Sequence, residues 1–158
     1  MQRAAARRVP QSDVTHRVTR KLPALRANAG YVSVSAYGDD LPGLRAQLTD
    51  AQEAIGDLDL FTKLSRDFHL AVAEASHNRV IVVQLLSLEH VSWPRRNVTA
   101  TRKLAGHILD IHSKLADLIE LRDAAGARAL MDDHVKMIRA RRVAEHGKNR
   151  KEDPQACC

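Results

Sequence analysis

From residue 41 onward, apolar residues recur with a helical period. Leu41, Leu44, Leu48, Ala51 and Ile55 follow one another at spacings of 3, 4, 3 and 4, which places them on one helix face. Asp40 stands where a cap belongs, Pro42 in the first turn and Gly56 at the end. Leu60, Phe61, Leu64, Phe68, Ala71, Val72 and Ala75 mark the inward face of a second helix, started by Asp57 or Asp59 and closed by His77-Asn78. Asn78 then offers a cap for a third. Its run from Val80 to Leu86 is apolar nearly all round, so a central position is expected, with Trp93-Pro94 as a break or kink. Leu104, Ile108, Ile111, Leu115, Leu118 and Ile119 predict a fourth helix. Asp123 caps a fifth, with Ala127, Leu130, Met131, Met137 and Ile138 inward.

Residues 1–40 lack this order. Pro10, Pro23, Gly30 and Gly38 punctuate them, and the two-residue alternation from Tyr31 to Tyr37 marks a short strand with no partner. The expected organisation is therefore an irregular basic arm over 1–40, a helical domain over 41–143 and a polar tail over 144–158. Short connections make neighbouring helices antiparallel, so the fold class is an all-α antiparallel bundle.

A length of 158 residues suits one domain, and 44% hydrophobic with 28% charged residues is a globular composition. Aromatics are only 3%, too few for the stacking surfaces of RNA- or sugar-binding sheets. No apolar run reaches ~18 residues, so no membrane partner is expected. The basic N-terminus has no apolar segment of the secretory kind. Cys157 and Cys158 are adjacent and cannot frame a disulfide scaffold. A cytoplasmic location is the default.

The net charge of +6 divides unevenly. Residues 1–28 carry +6, residues 136–153 carry +4, and the middle carries −4. Basic ends can contact a polyanion or nucleic acid, or act simply as solvated tails. Neither end holds a spaced base-reading motif.

The candidate chemistry lies in the histidines. His16 and His146 fall in the polar ends, and His77 and His90 near helix junctions. His69, His112 and His134 lie on or beside apolar faces. The turn joining the fourth and fifth helices centres near Arg122-Asp123, and each of His112 and His134 lies roughly 16 Å from it at ~1.5 Å per residue. In an antiparallel hairpin they sit level. Two facing imidazoles are expensive to bury without a shared partner, and a divalent cation is the usual one. A third imidazole would complete a three-histidine face with an open position. His69 is the best candidate, and Ser65, one turn earlier, shares its outlook.

Phe68-His69, Ala75-Ser76-His77-Asn78, and then His112, Asp123-Ala124, Ala129, Met131 and His134 form an ordered set. It resembles the signature of the FadR C-terminal (FCD) ligand-sensing domain of GntR-type bacterial transcription regulators. The likeness covers roughly residues 40–142. It implies an antiparallel bundle of six or seven helices around a polar cavity. It also implies a divalent metal held by one Asp and three His, with small carboxylates as effectors, and a homodimer. Carried over, the histidines are His69, His112 and His134, with zinc or nickel the expected metal. Ser65 occupies the position where the family has its Asp. Asp67 lies roughly 160–200° round the helix from His69, which makes it a poor substitute.

The winged helix-turn-helix that reads DNA in these regulators is not recognisable in residues 1–40. That leaves a sensor domain that is truncated, begun at a misread start, or adapted to work without its own reader. DNA is then a partner only through a separate or unrecognised domain. Arg95, Arg96 and Arg102 are the candidates to pair an effector carboxylate. The expectation is an effector-sensing domain and not an enzyme. Two alternatives remain: a ligand-free helical interaction module, and a metal-dependent hydrolase. The second lacks a general base, since Asp110 points to a different face from His112.

Overall fold

Four of the five described helices begin on a side-chain cap that the chain supplies locally. The computed structural model describes the backbone of residues 36, 38–92 and 101–152, with side chains for 36, 38–87, 101–141 and 144. Among the described residues there are five α-helices and no strand: α1 Asp40–Glu53, α2 Leu58–Glu74, α3 Arg79–Ser92, α4 Arg102–Glu120 and α5 Ala124–Glu152. A 3-10 turn, Ala54–Gly56, follows α1. The fold is the expected all-α bundle. Apart from Ala36, which is not in a strand, the proposed strand at 31–37 falls outside the described residues, as do the Trp93-Pro94 break and nearly all of the basic arm.

The capping expectations resolve individually. Asp57, not Asp59, starts α2, its Oδ1 accepting from the Leu60 N–H at 3.0 Å. Asn78 Oδ1 accepts from the Val80 N–H at 3.0 Å, and Asp123 Oδ1 from the Gly126 N–H at 2.8 Å. Thr101 starts α4 by accepting from the Leu104 N–H at 3.2 Å. Asp40 does not cap α1. The N-cap residue is Asp39, which makes no side-chain cap bond, and Asp40 occupies the first turn. Its carboxylate meets His77 Nε2 at 2.9 Å instead, tying the start of α1 to the turn between α2 and α3.

Between α4 and α5 the chain closes as a Schellman turn. The Arg122 N–H donates to Ile119 O at 3.0 Å and the Asp123 N–H to Leu118 O at 2.9 Å, with Arg122 in the left-handed region at φ 56°. This tight closure sends α5 back along α4.

The core lies where α1, α2, α4 and α5 meet. Leu44, Leu48 and Ala51 come from α1, Phe61, Phe68 and Val72 from α2, Leu115, Ala116 and Ile119 from α4, and Ala127 and Met131 from α5. Outside it, Arg45 reaches Asp117 Oδ1 at 2.6 Å and Glu120 Oε2 at 2.7 Å across the α1–α4 seam. These partners are exposed, so the clamp adds little beyond registering the two helices.

Two expectations about faces are corrected. Leu60 is exposed, because the buried face of α2 runs through Phe61, Ser65, Phe68 and Val72. The third helix is not central. Among the described elements α3 packs against α2 alone, and Val80 and Val83 are 74% and 61% exposed. An apolar composition says what a helix would prefer to touch. It does not supply the neighbours. At the other end, α5 runs on to Glu152 through positions that the apolar pattern leaves polar. No described helix is long and apolar enough to cross a membrane.

Candidate metal centre

Three helices deliver one imidazole each to the same point. His69 comes from the last third of α2, His112 from the middle of α4 and His134 from the middle of α5. One ligand nitrogen from each can be chosen so that all three lie within 4.8 Å of one another. The ring centroids of His69 and His112 are 4.6 Å apart and nearly perpendicular, at 81°. Those of His112 and His134 are 5.5 Å apart, and those of His69 and His134 5.8 Å. The α4–α5 hairpin sets the second pair level. The rotation of α2 about its own axis brings in the third.

Packing fixes the rings from behind. Phe68 stacks on His112 with centroids 4.7 Å apart and planes 18° from parallel. His112 and His134 are buried, with 1% and 6% of their surface left. His69 keeps some residue surface, but its imidazole has lost most of its water. That desolvation, helped by the neighbouring His134, pushes its pKa down to about 3. Desolvation also lowers His134 to about 4, with His107 adding a like-charge contribution. His112 is pushed well below the usual range, by burial first and then by His69 and His134. All three rings are therefore neutral at pH 7, the state in which imidazole offers a lone pair.

Two of those lone-pair or N–H positions have no protein partner. His112 Nε2 and His134 Nδ1 are buried without a hydrogen bond. An orphaned buried polar atom costs about 1–3 kcal/mol, so two in one cluster call for a shared partner from outside the chain. A borderline-soft divalent cation suits three imidazole nitrogens. The residues fit the group.

Ser65 is buried on the same face of α2, one turn before His69. No Asp or Glu joins the cluster among the described residues. Asp67 pairs with Lys63 at 3.1 Å and Asp132 with Lys136 at 2.7 Å, while Asp110 is exposed. Arg102 is exposed at the first position of α4, ten residues before His112 and so roughly 15 Å away along the axis. The structure does not bring it to the histidines. Arg95 and Arg96 lie outside the described residues. No sequence pattern singles out His107. Its position five residues before His112 on α4 leaves it exposed, yet near enough to His134 for its charge to matter.

The FCD domain family model matches residues 25–137, beginning inside the segment expected as an arm. No curated protein matches the chain.

Proposed function

The chain belongs to the FCD domain family, the ligand-sensing regulatory domain of GntR-type transcription regulators, and on that premise we propose that it senses a small carboxylate with the help of a divalent metal. His69, His112 and His134 are the proposed ligands, and zinc or nickel the proposed ion. The observation that carries this reading is the pair of buried, unpartnered nitrogens on His112 and His134 within a three-imidazole cluster. The metal supplies a Lewis-acidic centre with open positions for a carboxylate oxygen. The chain's own residues hold the rings neutral and pointed, with Phe68 bracing His112.

As FCD domains of these regulators do, the chain acts as a homodimer in this reading. Effector binding shifts the balance between two arrangements and so changes DNA affinity, through a separate reader or one not recognised here. Elemental analysis of the purified chain tests the metal. Wild type should carry close to one ion per chain and His134→Ala none. Equal metal in both proteins would move the site elsewhere, with Cys157 and Cys158 the next suspects.

The exposed apolar side chains of α3, Val80, Val83 and Leu86, favour a second reading, a helical interaction module without a ligand. That reading expects no metal uptake and no thermal shift with carboxylates.

A further inference from the structure

The two longest stretches of the chain without Asp, Glu, Lys or Arg are residues 27–38 and 80–88. The second belongs to α3, whose one described packing partner is α2. Away from α2 it leaves Val80 74%, Val83 61% and Leu86 39% exposed. At ~100° per residue these three lie within ~120° of one another, so they form a continuous apolar face. A face of this kind marks a surface that something covers.

The first stretch leads into α1 next to the start of α3. The Asp40 carboxylate meets His77 Nε2 at 2.9 Å, and α3 begins two residues after His77, at Arg79. Ala36, four residues before Asp40, packs against the core. In the alternation from Tyr31 to Tyr37, Val32 and Val34 share the side of Ala36, while Tyr31, Ser33, Ser35 and Tyr37 take the other. Residues 31–35, if extended, span ~16 Å at ~3.3 Å each, and α3 rises only ~9 Å from Val80 to Leu86. The family match opens at residue 25, so it takes in this stretch together with the helices.

We propose that the segment from Tyr31 to Ala36 packs along the open face of α3, with Val32 and Val34 against Val80, Val83 and Leu86. The occupant of the face is thus the chain's own N-terminal segment. It continues the apolar side that Ala36 begins, and it brings no charge to a face that carries none. A partner helix that docks on α3 must first displace it. None of this depends on the three histidines.

The test is photo-crosslinking in the full chain, with p-benzoylphenylalanine in place of the exposed Val83 and fragments read by mass spectrometry. An equal mixture of light and heavy isotope-labelled protein separates links within a chain from links between chains. Links should fall within residues 31–36 and join fragments of the same isotope. Val32→Asp with Val34→Asp should abolish them. In the same variant, α3 amides should exchange at least ~10-fold faster, the low end of what burying one valine is worth. Ser33→Asp with Ser35→Asp puts the same charges on the other side of the alternation and should keep both the links and the protection.

Links of mixed isotope would overturn the proposal by assigning the face to a second copy. Absence of links to residues 31–36 in the otherwise wild-type chain would overturn it whatever the variants do. Equal loss in the valine and serine variants would overturn the assignment of Val32 and Val34 as the side that docks.

Discussion

The Phe68 ring lies flat against the His112 imidazole, 4.7 Å between centroids and 18° from parallel. Phe68 precedes His69 in the chain, so one short stretch of α2 provides both a member of the cluster and the support for another. Burial favours the neutral form of the His112 imidazole, and His69 and His134 add to that effect. The dipeptide thus couples the core to the site.

Removing that support should be felt in both. Phe68→Ala should destabilise the chain by about 3–5 kcal/mol in urea unfolding, the range for a fully buried aromatic. Phe68→Leu should fold with a smaller loss yet weaken metal binding, because His112 loses its planar backing. Unchanged metal affinity in Phe68→Leu would show that the stack does not orient His112.

The lowered histidine pKa values predict acid sensitivity of the metal-free protein. In the unfolded chain each ring titrates near 6.5, but in the fold His69 falls to about 3 and His134 to about 4. The unfolded state therefore binds more protons below pH 6.5. Stability from these groups is complete above that pH and is lost as pH falls towards 3–4, by up to about 1.4 kcal/mol per pH unit for each ring. Urea midpoints in chelator between pH 7.5 and 4.5 should fall more steeply for wild type than for His134→Ala. Parallel slopes would show that His134 is not held neutral.

At the α2–α3 turn, His77 adopts φ 52° and holds Asp40 at 2.9 Å. A left-handed non-glycine residue costs about 1–2 kcal/mol, and the partly exposed contact returns part of it. His77→Gly should stabilise the Asp40→Ala protein by about 1 kcal/mol and the wild type by less. The difference, read from a double-mutant cycle, is the value of the link. Equal gains in both backgrounds would assign the contact no energy.

The basic ends should bind DNA weakly and without sequence preference, through phosphate contacts that fade steeply between ~50 and 200 mM salt. Gel shifts on unrelated duplexes should give the same affinity. A footprint on one sequence that survives the higher salt would reveal a DNA reader in residues 1–40.

The starts of α2, α3 and α5 were legible in the sequence because their causes are local. Asp57, Asn78 and Asp123 each bond to a backbone N–H two or three residues on, and the 3.6-residue period reports burial within one helix. The level of His112 with His134 was legible for the same reason, since a tight turn and a fixed rise per residue determine height. Other features depend on which surfaces meet. The roll of α2 that carries His69 to the hairpin, the Phe68 stack and the approach of His107 to His134 all involve residues far apart in sequence. So does the peripheral place of α3, whose apolar run cannot say whether any element covers it. Local bonds determined the helices of this chain, and only the packing between them decided which side chains face a common point.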